Sequence, residues 1–382
     1  VTAIADLQGR LVDRLEASGA LTPGWRQAFL DVGRHLFLPD VVWASTSDGY
    51  ERCDRTENPG RWLELVYSDV AIVTQWEDDA DGGQREPTSS VSMPTMVASM
   101  LRDLDVHEGH TVWEGGTGPG WNAALLARRQ GAQAVVTVEL DREVAAQAEA
   151  NLRALDDAPT AVVGDAADGY PPRAPYDRGI LTCSVREVPA AVIGQIRPQG
   201  VLVLPFAPLF GGGAVARLTA AGRTAEGPFT GSSAFMRMRQ QRYQGPPVDD
   251  YLPGDWPGDA AQEYTPLSPL DVVDDWLASF VVGLAVPDAY YRRSDGDGMT
   301  TLWLFDTGVT SWATVDFVDG AERYEVRQSG PRRMWSEVED VVRWWEKQGR
   351  PGFDRFGLTV DTDGGHRAWL DEPANPLPSV GG

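Results

Sequence analysis

Cysteine is almost absent from this chain: Cys53 and Cys183 are the only two in 382 residues. They offer neither a disulfide framework nor a zinc-ligand spacing. Histidine is nearly as scarce. His35, His107, His110 and His366 are scattered and make no metal constellation, so no metal is expected. Long apolar runs are missing as well, and none is long enough to span a bilayer, so no membrane partner is expected. Basic residues are outnumbered 33 to 56, giving a net charge of −23. A surface of that sign repels phosphate backbones, which disfavours a nucleic-acid partner. The charge names no substrate, because an acidic proteome bias produces the same imbalance. The chain starts Val1-Thr2-Ala3-Ile4 and runs straight into an amphipathic pattern. No secretory leader pattern is visible there, so the expected address is cytoplasmic.

What is present suits a globular protein of two domains, or one domain with a large appendage. Leu7, Leu11, Val12 and Leu15 recur at helical spacing, and a second helix fits Trp25 to Leu36. Residues 43 to 88 read as irregular, with a strand over Leu63 to Thr74 and an exposed acidic loop from Glu77 to Gly83. From Pro94 the pattern alternates. Helical faces at 96–104, 121–129 and 144–155 separate apolar strands at 111–113, 134–138, 161–163, 178–182 and 201–205. Such alternation predicts a doubly wound, Rossmann-like α/β sheet with helices on both faces. After Phe206 the alternation stops and the sheet is expected to be complete. Strand patterns at 301–305 and 312–317 and a helix with Trp335, Val338, Val341, Val342 and Trp345 on one face suggest a smaller α+β unit. The expected division is 1–90, helical and loop; 91–230, ligand-binding sheet; and 231–382, an extension that selects substrate.

The strongest local signal is Val112-Trp113-Glu114-Gly115-Gly116-Thr117-Gly118-Pro119-Gly120-Trp121. A strand ends, glycines turn the chain, and a helix begins. Glycine lets the backbone approach a ligand, and the helix start offers free N–H groups. The spacing is not the dinucleotide G-x-G-x-x-G, and no lysine is present to make a P-loop. Glu139 ends the next strand, where an acid can accept both ribose hydroxyls of a nucleoside. Asp165 ends the third strand, placed to take an adenine amino group. Two strand-end acids after a glycine turn fit a nucleoside that carries no phosphate. The plain alternative is that both acids are solvated strand ends.

These residues lie within a wider resemblance. Arg34-His35 with Leu36-Phe37-Leu38-Pro39 is similar to R-H-x-F-V-P, and Ser90-Val91-Ser92-Met93-Pro94 to T-I-S-Q-P. Glu114 to Trp121 is similar to E-I-G-T-G-S-G-Y, Pro175-Tyr176-Asp177-Arg178 to P-Y-D-R, and Ile196 to Gly200 to L-K-P-G-G. Together they resemble the protein-L-isoaspartate (D-aspartate) O-methyltransferase family over about Gly19 to Phe206. The resemblance implies S-adenosylmethionine as methyl donor and an aspartate or isoaspartate of a peptide or protein as acceptor. It implies Ser92 as the catalytic residue. It implies donor contacts from Ser90, Val91, Ser92, Glu114, Gly115, Gly116, Thr117, Gly118, Gly120, Glu139, Leu140, Asp165 and Ala166. Ser184 and Val185 would face the acceptor.

The sequence departs from the plain repair enzyme at Gly115, at Cys183-Ser184-Val185-Arg186, in the longer stretch from Gln75 to Thr88, and in the long C-terminal segment. In these it looks like the long actinobacterial branch found beside ribosomal peptide natural products, where the methyl ester leads to aspartimide. Three readings stand at this point: modification of an aspartate in a probably cyclised ribosomal peptide, general isoaspartyl repair, and a binding protein without catalysis. A carboxylate with a pKa near ~4 is already ionised at neutral pH, so the missing histidine is no objection to methyl transfer. For Ser92 the competing role is a cap on the helix at Pro94.

Overall fold

The computed structural model describes residues 2–78, 85–155, 158–252, 254, 256–296 and 298–378. Two helices open the chain, α1 (Thr2–Ala17) and α2 (Pro23–Asp31). The expected helix to Leu36 stops five residues early. Arg34–Phe37 instead forms a separate 3₁₀ turn that carries the Arg34 guanidinium into the interior. Residues 41–91 are less irregular than their sequence suggests. Strands β1 (Val41–Thr46) and β2 (Gly49–Asp54) form a hairpin, helix α3 (Pro59–Val66) follows, and β3 (Ile72–Asp78) pairs with β4 (Arg85–Val91). The four strands make one sheet in the order β2-β1-β3-β4. The strand expected over Leu63 to Thr74 is therefore corrected: it is helical to Val66 and extended only from Ile72. The Asn58 side chain accepts from Arg61 N–H and Pro59 sits at the first turn, so a cap and a pre-set φ outweigh the β-branched residues. Of the expected acidic loop, Glu77 and Asp78 belong to β3, and 79–83 lie outside the described residues.

Helix α4 (Pro94–Leu104) buries Val97, Ala98, Met100, Leu101 and Leu104 along one stripe. The alternating stretch then runs β5 (Val112–Gly115), α5 (Trp121–Gln130), β6 (Val135–Glu139), α6 (Arg142–Arg153), β7 (Thr160–Val163), β8 (Tyr176–Leu181), a short α7 (Ala190–Ile193) and β9 (Ile196–Phe206). These five strands are parallel in the order β7-β6-β5-β8-β9. The order reverses between β5 and β8. In open α/β sheets ligands bind at the carboxyl ends of the strands, at such a reversal.

The sheet does not close at Phe206. Strands β10 (Ala214–Ala221) and β11 (Thr224–Ser232) continue it antiparallel, each antiparallel to the strand before it. The chain then leaves to build a second unit: β12 (Ala261–Thr265), the short α8 (Pro269–Val273), α9 (Trp276–Ala285), β13 (Ala289–Gly296), β14 (Met299–Asp306), β15 (Trp312–Val318), β16 (Tyr324–Ser329) and α10 (Met334–Lys347). It returns as β17 (Phe356–Asp361), paired with β11, and β18 (His366–Leu370). The sheet therefore has nine strands, and its last two come from beyond the second unit. One hydrophobic core runs from Trp113 and Phe206 through Phe229 and Phe280 to Trp335 and Val338. Strand pairing and this shared core together make the C-terminal segment part of the sheet's own support. Trp335 and Trp345 are buried in it.

Candidate active site

The cleft opens where β5, β6 and β8 end. Gly116 has φ of +91°, and a Cβ there would meet the Thr182 hydroxyl at 2.6 Å. Only glycine turns the chain at that point. Glu139 is mostly enclosed beneath the turn. Its Oε2 accepts from Gly118 N–H (2.9 Å) and its Oε1 from Asp141 N–H (3.0 Å). Burial pushes this carboxyl up, and the backbone donors pull partly against that shift. Each carboxylate oxygen keeps a further lone pair, so the group can still accept from a diol. Asp165 Oδ1 accepts from Ala167 N–H (2.8 Å), and Oδ2 from the Gln240 side-chain amide (2.6 Å).

Ser92 lies at the mouth of the same cleft with Ser90 and Val91. The helix α4 cap position is held by Met93, and the side chain that accepts from its first turn is Asp69, through Thr95 N–H (2.8 Å). Ser92 is thus not the cap, and its hydroxyl has no hydrogen-bond partner among the described residues. What fixes Ser92 is its carbonyl. The fully buried Arg34 guanidinium donates to the carbonyls of Val66 (2.8 Å), Ser68 (3.2 Å), Val70 (2.8 Å), Val91 (3.1 Å) and Ser92 (3.0 Å). Burial pushes Arg34 down to about 9, still charged at neutral pH. One cation therefore ties α3, the entry to β3 and the serine loop together.

Gly116, Thr117, Gly118, Glu139, Leu140, Asp165 and Ala166 line the cleft with the three serine-loop residues. Five other anticipated residues do not. Glu114 is wholly buried, its oxygens taken by the Asn122 amide (2.7 Å) and the Thr137 hydroxyl (2.5 Å). Burial pushes its carboxyl up to about 7, so near neutrality it is a partly protonated structural group. Gly115 is a packing position: a Cβ would sit within 3 Å of Leu181, Trp113 and Ala166. Gly120 faces Leu152. Ser184 and Val185 are also corrected. They are 2% and 0% exposed. The Ser184 hydroxyl donates to Phe235 O (3.1 Å), its N–H to Met236 O, and its carbonyl accepts from Met238 N–H. Ser184 therefore anchors a strap, Val185 pairs with the end of β9, and neither presents a side chain to an acceptor.

That strap was missed in the sequence. Residues Phe235 to Arg242 cross the cleft, and all but Gln241 line it. Arg239 pairs with Asp141 (3.0 Å), and Arg242 lies within 3.7 Å of Glu77 and Glu86 on the β3–β4 hairpin. The available signal was a cluster of arginines at 237, 239 and 242 in an acidic chain. Cys183 also lines the cleft, and burial pushes its thiol up to about 12, so it is no nucleophile at neutral pH. No histidine lines the cleft among the described residues. The arrangement can hold a nucleoside and bring a hydroxyl to a second ligand.

The family description protein-L-isoaspartate(D-aspartate) O-methyltransferase (PCMT) matches residues 47–220. A protein-L-isoaspartate O-methyltransferase of Methanopyrus kandleri is 40% identical over 200 residues, 51% of this chain and 75% of that protein. A second such relative, from Archaeoglobus fulgidus, is 33% identical over 51% of this chain and 76% of its own length. This chain belongs to the protein-L-isoaspartate O-methyltransferase family. A relative from Ignicoccus hospitalis, 40% identical, matches over a shorter stretch, 30% of this chain and 56% of that protein. A solved structure titled protein-L-isoaspartate O-methyltransferase superposes with a TM-score of 0.53 at 21% identity, covering 96% of this chain and all of the other. At that identity the likeness is one of fold, and it extends beyond the family match into the C-terminal unit. No helix among the described residues is long and apolar enough to cross a membrane.

Proposed function

We propose that this family member transfers a methyl group from S-adenosylmethionine to the side-chain carboxylate of an aspartyl or isoaspartyl residue in a peptide or protein. The observation that carries it is the convergence of the Gly116 turn, Glu139, Asp165 and the unpartnered Ser92 hydroxyl on one cleft. When bound, the donor supplies an electrophilic methyl group on its sulfonium. Glu139 accepts from the ribose hydroxyls and Asp165 from the adenine amino group. Ser92 donates to the acceptor carboxylate and holds it in line. Strap residues 235–242 keep water from the cleft. Positioning of this kind contributes on the order of 7–11 kcal/mol to a bimolecular reaction, and no proton needs to be removed.

Within this activity we place the acceptor more narrowly, on an aspartate of a conformationally constrained ribosomal peptide. The strap lines the cleft beside the serine loop and narrows the approach to Ser92, which suits a pre-shaped acceptor better than an open chain. The ester then closes onto the next backbone amide: a nitrogen–carbon bond forms, the carbon–oxygen bond breaks and methanol leaves. The imide is one water lighter than the starting peptide. Mass spectrometry of a cyclised and a linear aspartyl peptide, beside a short isoaspartyl peptide, tests both levels. Fast methylation of the cyclised form followed by methanol loss supports the narrow reading. If short isoaspartyl peptides are the better acceptors, general repair replaces it. No methyl transfer to any of them, with no heat on titrating S-adenosylhomocysteine, ends the methyltransferase reading.

A further inference from the structure

The strap over the cleft is fixed differently on its two sides. On one side backbone holds it. Met236 O accepts from Ser184 N–H and Ser184 O from Met238 N–H, both at 2.8 Å. Gln241 reaches back to the same chain. Its Oε1 accepts from the N–H groups of Arg186 (2.7 Å) and Glu187 (3.0 Å), and its Nε2 donates to Glu187 O (2.6 Å). Arg237 adds bonds to the carbonyls of Ala207 (2.8 Å) and Pro208 (3.2 Å). This bank is the chain leaving β8 and β9.

On the opposite bank no backbone bond meets the strap among the described residues. Three side chains reach across instead. Arg239 donates to Asp141 (3.0 Å), the N-cap residue of α6, and Gln240 to Asp165 (2.6 Å), just past β7. Arg242 Nη1 stands 3.7 Å from Glu77 and 3.6 Å from Glu86, beyond hydrogen-bond distance. Every partner on this bank is a carboxylate, and two of the three links are ion pairs. Glu77 and Glu86 are 58% exposed, so dissolved ions reach the Arg242 pairs freely. Exposed ion pairs are individually weak and are screened by salt, whereas the neutral backbone bonds of the first bank are not. The strap therefore parts first from its acidic bank, and the gap opens beside Asp165.

We infer that Arg239 and Arg242 latch the strap over the donor, and that their release lets the donor in and out. The inference rests on the reading that Glu139 and Asp165 hold S-adenosylmethionine. Both guanidinium groups are turned to carboxylates of the far bank, so they are positioning residues that act on the path of the donor. Loss of the latch therefore quickens entry and exit together and leaves affinity nearly unchanged. A group that only contributed to binding would quicken exit at the expense of affinity.

The test follows tritiated S-adenosylhomocysteine leaving the full chain into excess unlabelled ligand, by rapid filtration. Calorimetry gives the equilibrium Kd, and the association rate follows from the two. The ligand carries one amino and one carboxylate group, so its net charge is near zero and screening acts mainly on the latch. In the wild-type chain, raising NaCl from about 0.05 M to about 1 M should speed association and release about fivefold each, with Kd held within about twofold. Arg239→Gln combined with Arg242→Gln should show the fast rates already at low salt and no further response to salt. Arg239→Lys combined with Arg242→Lys keeps the charges and should restore slow, salt-sensitive exchange. Wild-type exchange that ignores salt overturns the latch, and that arm needs no variant. A folded double glutamine variant that stays slow, or whose release quickens only as its affinity falls, overturns it too. In each of these cases S-adenosylhomocysteine still binds and the methyltransferase reading stands; a chain that binds none of it loses both.

Discussion

The nine-stranded sheet has two halves that were made in different ways. In the parallel half, β5 to β9, helices follow β5, β6 and β8, β7 reaches β8 through short 3₁₀ turns, and each strand connects to the next within about 30 residues. In the antiparallel half, β10 and β11 form a hairpin, but β17 and β18 arrive more than a hundred residues after β11. The first half carries the strand-end acids of the cleft. No residue of β10, β11, β17 or β18 lines the cleft, yet β11 leads directly into the strap. Chemistry sits where the strand order reverses; shape around it comes from pairings across the length of the chain.

Truncation near residue 230 breaks that comparison most severely. It would leave the β11 edge unpaired and uncover Phe229 and its neighbours, which pack on Phe280. The expected result is a protein with no cooperative thermal transition and no binding of S-adenosylhomocysteine. A truncated chain that melts sharply and binds would make the antiparallel half dispensable.

Within the parallel half, Glu139 and Glu114 are both enclosed strand-end acids with different tasks. Glu139→Ala should weaken S-adenosylhomocysteine about a hundredfold by calorimetry, since two hydrogen bonds to a charged acceptor contribute about 3 kcal/mol together. The ionised form is the acceptor and burial raises its pKa. Affinity should therefore start to fall, on acidification, above the usual glutamate range. Glu114 should act on stability instead. Burial pushes its folded carboxyl up to about 7, well above the usual 4.5 of a glutamate. The favourable protonation is therefore fully present below pH ~4.5 and is lost as pH rises through about 7, a loss of up to about 3 kcal/mol. Glu114→Gln should flatten the denaturant midpoint across that window. An unchanged slope would mean that Glu114 is ionised at no cost.

Smaller effects separate the serine loop from the strap. Ser92→Ala should lower kcat about tenfold, the value of one hydrogen bond of ~1.4 kcal/mol, with S-adenosylhomocysteine affinity kept within about twofold. Since Ser92 caps nothing, its melting temperature should hold; a drop of the size a lost cap gives would return Ser92 to a structural role. Gln240→Ala should weaken S-adenosylhomocysteine by only a fewfold, because the amide touches Asp165 and not the backbone turn. No change at all would make the strap a bystander to donor binding.

The legible parts of this protein are those whose cause is local. The helix stripe of α4, the turn at Gly116 and the acids at Glu139 and Asp165 follow from residue spacing, since strand, turn and helix lie within about ten residues of one another. The hairpin β1–β2 and helix α3 were blurred because short elements with Trp, Gly and charged residues match neither period well, and a single cap at Asn58 settled one of them. Ser92 was visible through its motif, but not the buried Arg34 that holds its carbonyl from 58 residues away. By itself the sequence determined a doubly wound sheet, the strand ends that meet at the cleft and the family. Tertiary structure alone decided that Glu114 is buried rather than in the cleft, that Ser184 anchors a strap while Val185 pairs with the end of β9, and that the last strands complete the first sheet. Those outcomes depend on which surfaces exclude water together, and the hydrophobic effect has no sequence range.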